Sequence, residues 1–232
     1  MPRKPSEHAA KLVYINVGYA QQDLQNGFTM AGATFTAVTG DNIQIQDIKV
    51  TGENAEEGDV NIQTLDRLGR TVNMYTYYGE DVFDDGYAAG WYDDDGLVDV
   101  DFASGQGLWI AAPDADTSVT FAGKVPTSDV VITLQNGFTA TANMMPVSVS
   151  IQDIIVTGDN AEEGDVNIQT LDRLGRTINM YTYYGEDVFD DGCPAGWYDD
   201  DGLVDVTFNA GAGLWVAAPD NDTTIRFPAP EL

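Results

Sequence analysis

At 232 residues, with 43% hydrophobic and 10% aromatic content, the chain can bury one large core or two small ones, which excludes a disordered acidic tail. Its 38 acidic residues against 10 basic give a formal net charge of -28, which excludes nucleic acid and anionic lipid as partners; it leaves divalent cations, basic proteins, neutral glycans, or plain solubility. A single cysteine, Cys193, and a single histidine, His8, exclude an intrachain disulfide, a Ser-His-Asp or Cys-His centre within the body of the chain, and a His/Cys zinc site.

The first segment, residues 1–20, is a leader. Met1-Pro2-Arg3-Lys4 begins like a basic signal sequence, but no long apolar stretch follows, and no run in the chain approaches a membrane span; membrane insertion is not expected. Leu12-Val13-Tyr14-Ile15-Asn16-Val17 reads as a strand without a clear counterpart elsewhere. An unmatched terminal strand seeks an edge, so Leu12, Val13, Tyr14, Ile15 and Val17 are expected to pair with a neighbouring subunit. Arg3, Lys4 and Lys11 would lie against that subunit's acidic surface.

Everything beyond the leader is duplicated. Thr51-Gly52-Glu53-Asn54-Ala55-Glu56-Glu57-Gly58-Asp59-Val60 returns at Thr157 to Val166, an offset of 106 that persists through Trp91/Trp197, Trp109/Trp215 and Phe121/Phe227. Leu24 to Thr29 returns at Leu134 to Thr139, an offset of 110, so the first copy carries four extra residues between Phe28 and Gln46. The predicted division is a first repeat over 21–125 and a second over 126–232, with Lys124-Val125-Pro126-Thr127-Ser128 as a stiff linker.

Within each repeat the pattern alternates with period two, the mark of strands. Val72 and Met74 share one face of their strand, and Asn73, Tyr75 and Tyr77 the other. Val98, Val100 and Phe102 form an inward set. The run from Ile43 to Val50 slips phase at Gln46-Asp47, and its twin slips at Gln152-Asp153, as a β-bulge requires. Turns are marked by Leu68-Gly69, Asp85-Gly86, Asp95-Gly96 and Gly105-Gln106-Gly107. No stretch sustains a helical period. The expected fold class is all-β: two tandem homologous β-sandwich, jelly-roll-like domains of about eight short strands each.

Phe102-Ala103-Ser104-Gly105-Gln106-Gly107-Leu108-Trp109-Ile110, its twin at Phe208 to Val216, and the following Val119-Thr120-Phe121-Ala122-Gly123-Lys124-Val125-Pro126 resemble tandem β-repeat modules of secreted and cell-surface bacterial proteins of unassigned function. Those modules share a strand ending in Gly-Phe, an Asp/Gly-rich centre with a Gly-Trp turn, and a Gly-x-Gly-Leu-Trp strand. The resemblance implies an exported, non-catalytic setting at the cell surface or outside the cell, and transfers no functional residue.

Carboxylates crowd two glycine-rich loops per repeat. Asp84, Asp85, Asp93, Asp94 and Asp95, with twins Asp190, Asp191, Asp199, Asp200 and Asp201, supply the hard oxygen ligands that calcium takes, without the spacing of an EF-hand; the alternative is a solvated acidic turn. Asp114 with Asp116 and Asp220 with Asp222 form a second such cluster. Calcium is the only cofactor for which the residues leave room. No carboxylate pair stands apart as a glycosidase centre, and no enzyme is expected. Trp91 and Tyr92, with twins Trp197 and Tyr198, are the candidate platform for a neutral glycan, with core or interface packing as the alternative for the indole, whereas Trp109, between Leu108 and Ile110, reads as core. Cys193 stands where the first copy has Tyr87 and reads as inert; Arg67 and Arg70, and Arg173 and Arg176, read as partners of nearby carboxylates.

Two functions follow. One is a non-catalytic, self-associating structural subunit of a filament, surface array or appendage. The other is a carbohydrate-binding module, calcium-assisted or not. Duplication suits both, by giving either a regular contact or bivalent avidity.

Overall fold

The computed structural model describes residues 17–33, 35, 42–52, 55–80, 82, 86–159, 161–186 and 192–229. The chain is all-β, with no α-helix among those residues. The first repeat contains β1 (Val17–Asp23), β2 (Gly27–Gly32), β3 (Asn42–Gln44), β4 (Lys49–Thr51), β5 (Glu57–Leu65), β6 (Thr71–Tyr78), β7 (Gly90–Asp93), β8 (Gly96–Leu97), β9 (Asp101–Ala103), β10 (Gly107–Ala112) and β11 (Ser118–Lys124). The second contains β12 (Val130–Thr133), β13 (Gly137–Ala142), β14 (Val149–Ser150), β15 (Ile155–Thr157), β16 (Glu163–Leu171), β17 (Thr177–Tyr184), β18 (Gly196–Asp199), β19 (Gly202–Leu203), β20 (Thr207–Phe208), β21 (Gly213–Ala218) and β22 (Thr224–Phe227). Eleven strands per repeat exceed the eight expected, because several ladders are only two or three residues long.

Strand order is the same in both copies. A three-stranded sheet runs β1-β11-β4, a six-stranded sheet β2-β10-β5-β6-β7-β8, and β3 pairs with β9; the second repeat reproduces each with β12-β22-β15, β13-β21-β16-β17-β18-β19 and β14-β20. The larger sheets form a propeller-like ring of four, not two clearly separate tandem sandwiches. Each repeat nonetheless has its own core. In the first, Ala20, Val119 and Phe121 from the three-stranded sheet pack on Val60, Ile62, Leu108 and Ile110 from the six-stranded one. The second core is built from the corresponding residues of its own strands, including Val166, Ile168, Leu214, Ile225 and Phe227. Val98 and Phe102 are buried and Val100 packs against the same core, as their alternation implied.

Two local expectations change. The phase slip at Gln46-Asp47 is a single turn of 3-10 helix over Ile45–Asp47, repeated at Ile151–Asp153, not a β-bulge. It buries Ile45 and frees Gln46 to point at the backbone of a neighbouring segment. Val17, read as part of an intermolecular strand, instead begins β1 and pairs with Lys124 of its own repeat. Ala20 opposite Phe121 matches Val130 opposite Phe227, so from Ala20 onward β1 has a counterpart in β12. Arg3, Lys4, Lys11, Leu12, Val13, Tyr14 and Ile15 lie outside the described residues.

The repeats interlock around an internal pseudo-twofold axis. Phe28 N–H donates to the Arg173 carbonyl (3.1 Å), and Phe138 N–H donates to the Arg67 carbonyl (3.2 Å). Ala31 bridges to Ala212 and Gln106 to Thr141, while the Thr141 hydroxyl donates to the Gly105 carbonyl at 2.7 Å. The Gln22 side-chain amide donates to the Ala210 carbonyl of the other repeat.

Candidate functional site

Cross-strand partners in a sheet share a face, which identifies the outer surface of each six-stranded sheet. In the first repeat one row reads Met30, Trp109, Gln63, Met74, and the next Phe28, Ala111, Asn61, Thr76, Tyr92, Leu97. In the second the rows read Ala140, Trp215, Gln169, Met180 and Phe138, Ala217, Asn167, Thr182, Tyr198, Leu203. Polar side chains on this face satisfy one another: Thr76 Oγ1 donates to Asn61 Oδ1 at 2.9 Å, and Thr71 Oγ1 to Gln63 Oε1 at 2.7 Å.

The aromatic assignment is a correction. Trp91 and Trp197, expected as surface platforms, are fully buried, each indole N–H donating to a backbone carbonyl, of Ile48 (3.2 Å) and Ile154 (2.9 Å) respectively. Tyr77 and Tyr183 pack edge-on against them. Neither indole can meet a sugar. Tyr92 and Tyr198 are half-buried, their hydroxyls donating to the Ala88 and Pro194 carbonyls. Trp109 and Trp215, mostly buried, lie on the outer face and not in either core. They stack on Phe28 and Phe138 at 5.1 Å between ring centroids.

These two stacks flank a cleft of about 410 Å³ on the pseudo-twofold axis, lined also by Leu65, Leu68, Leu171 and Leu174. The β5–β6 hairpin tip of one repeat covers the indole of the other. A Cβ on Gly69 would lie 3.3 Å from Trp215 Cζ2, and one on Gly175 3.2 Å from Trp109 Cζ2.

Each tip is fixed by one aspartate. Asp66 Oδ1 accepts from the N–H groups of Leu68 (2.9 Å) and Arg70 (3.0 Å), and Oδ2 pairs with the Arg70 guanidinium at 2.6 Å. Asp172 does the same with Leu174 and Arg176. Arg70 and Arg176 are thus carboxylate partners as expected, while Arg67 and Arg173 lend their carbonyls to the other repeat. The guanidinium hydrogen bond, then the backbone N–H of the same arginine, hold both carboxyls down at about 2 against an ordinary 3.8. A depressed folded value stabilises the tip above pH 3.8, and the contribution is lost as pH falls towards 2. Asp66→Asn with Asp172→Asn is expected to flatten the melting temperature between pH 4 and pH 2, measured by calorimetry; an unchanged acid limb would place that dependence elsewhere.

Four aspartates of these acidic loops, Asp93, Asp114, Asp199 and Asp220, act as turn caps. Asp93 Oδ1 accepts from Asp95 N–H, and Asp199 Oδ1 from Asp201 N–H, both at 2.9 Å. Asp114 and Asp220 each accept the hydroxyl of the threonine three residues on. Among the described residues no three His, Cys, Asp or Glu side chains gather where a metal ion could be held. Asp84, Asp85, Asp190 and Asp191 lie outside the described residues. Asp94, Asp95, Asp200 and Asp201 are exposed on the turns.

No protein-family model matches the chain. Nor does any curated protein or solved structure.

What remains is the geometry of the outer face. Leu68, Val72, Met74 and Leu97 are between 55% and 61% exposed, and their twins Leu174, Ile178, Met180 and Leu203 between 53% and 61%. Ile178 and Met180 border Asp199, Asp200 and Asp201 in a shallow recess, which gives an aliphatic ridge with an acidic rim. The signal was present in the sequence. Tyr75 and Tyr77 face the core, so the opposite phase of β6 had to present Val72 and Met74 outward.

Proposed function

We propose that the chain is a non-catalytic, self-assembling structural subunit, with the leader of one copy docked on the outer sheet face of another. The aliphatic ridge carries this reading, because four exposed aliphatic positions recur on both repeats. Isolated exposed apolar residues need no explanation, but a patch kept at matching positions in both copies marks an interaction surface. Its occupant must supply apolar side chains and positive charge. Leu12, Val13 and Ile15 with Arg3, Lys4 and Lys11 have that composition. Each repeat is taken as a sandwich-like unit, its two larger sheets sharing one core. The resemblance to tandem modules of exported bacterial proteins fits a filament, surface array or appendage outside the cell. The glycan reading loses both indoles and keeps only Tyr92 and Tyr198.

Light scattering on the full chain and on residues 17–232 tests the proposal. The full chain should form multimers that loosen with salt, and the shortened chain should be monomeric. Met74→Lys with Met180→Lys should also give monomers, by removing apolar contact and repelling the basic leader. A full chain that is monomeric at all concentrations, or a shortened chain that assembles equally well, would overturn it.

A further inference from the structure

One pocket lies away from the cleft, at the edge of the ridge where Tyr92 pairs with Leu97. We propose that the recess formed by Tyr78, Tyr87 and Tyr92 beside the acidic turn Asp93–Asp95 of the first repeat binds a small organic cation bearing a methylated ammonium group. This proposal does not depend on the assembly reading.

The recess encloses about 350 Å³, room for a compact headgroup. Tyr92 stands between the other two rings, 5.8 Å from Tyr78 at 73° and 6.1 Å from Tyr87 at 88°, centroid to centroid. Tyr92 thus meets both neighbours edge to face, and all three rings line one recess. Aromatic faces carry negative quadrupole charge, and a cation set against several of them is held without a single fixed hydrogen-bond direction. The walls are rigid for a surface site. Tyr92 is tethered at its hydroxyl by a 2.7 Å hydrogen bond to the Ala88 carbonyl, and its strand pairs with β6 and β8.

Charge decides the sign of the ligand. Asp93, Asp94 and Asp95 line the recess, in a chain of net charge -28 whose field draws cations towards it. Hydration decides its type. A primary ammonium or a metal ion is strongly solvated and gives up much on entering an aromatic recess, whereas a quaternary ammonium is weakly hydrated and presents methyl groups to the rings.

The second repeat supplies an internal control. Tyr184 and Tyr198 reproduce the first pair at 5.8 Å and 74°, but Cys193 stands where Tyr87 stands. Among the described residues, that copy has two aromatic walls where the first has three. The chain should therefore hold one cation per molecule at the higher affinity.

The test is titration of the full chain with tetramethylammonium chloride by calorimetry at fixed ionic strength, beside neopentyl alcohol as a neutral compound of the same shape. One site per chain is expected, with little binding of the alcohol. Tyr87→Ala removes a side chain that is 57% exposed and should leave the melting temperature in place while weakening binding about five- to tenfold. Cys193→Tyr should create a second site of similar affinity. Equal binding of the neutral compound, undiminished binding by Tyr87→Ala, two equal sites in the parent chain, or no heat at tens of millimolar would each overturn the proposal.

Discussion

Replacing Gln46 by leucine is expected to lower the melting temperature by roughly 5–15 °C, although the side chain sits in a short loop turn. Its carboxamide acts as a missing piece of strand. Nε2 donates to the carbonyls of Trp91 (3.0 Å) and Val98 (2.7 Å), and Oε1 accepts from Trp91 N–H at 3.1 Å. Trp91 O has a second donor in Val98 N–H, but the other two groups have only the glutamine. Leucine keeps the volume and leaves the N–H of Trp91 and the carbonyl of Val98 without a partner, a loss of about 2–4 kcal/mol. Gln152 makes the same three contacts with Trp197 and Val204, so Gln152→Leu should act alike. The two repeats have separate cores, and the double variant should show the sum of the single effects within about 0.5 kcal/mol. Calorimetry on the singles, the double and Gln44→Ala, an exposed neighbour, checks this. Equal melting temperatures for Gln46→Leu and Gln44→Ala would mean that water replaces the carboxamide at no cost.

The duplication was legible from the offset alone, and with it the shared strand order, since two nearly identical sequences cannot fold differently side by side. Inward faces were legible wherever the alternation was clean, as at Val98 and Phe102. Trp91 was misread as a surface platform because its flanking residues were weighed instead of its phase. Trp91 precedes a run of aspartates, yet those belong to the following turn, and the indole points the opposite way into the core. Trp109 lies between Leu108 and Ile110, and strict alternation already places it opposite both. Composition cannot report that Gln46 would replace strand pairing with a side chain. The cleft was illegible for another reason. It exists only because two repeats meet, and a repeat read singly shows Gly-x-Gly-Leu-Trp without the backbone that the glycines must admit.

Gly107→Val together with Gly213→Val is expected to separate the repeats while leaving each core folded. These glycines are contact points between the copies and not turn residues. A Cβ on Gly107 would lie 2.5 Å from Thr141 N and 2.6 Å from Ala140 C, and one on Gly213 2.4 Å from Met30 C. All three are backbone atoms, so no side chain can swing aside, and overpacking of this kind costs about 3 kcal/mol or more. The strain falls on contacts between β10 and β13 and between β21 and β2, outside both cores. Parting the repeats lifts the Gly69 and Gly175 hairpin tips off Trp215 and Trp109 and exposes both rings to water. Far-ultraviolet circular dichroism should therefore change little, while tryptophan emission shifts to the red. The shift should persist in a Trp91→Phe, Trp197→Phe background, where Trp109 and Trp215 are the only emitters left of the four tryptophans. Unchanged emission and melting would show that the glycines do not mediate the contact. Loss of all sheet signal would show that neither core stands without the other, making the interlock a condition of folding.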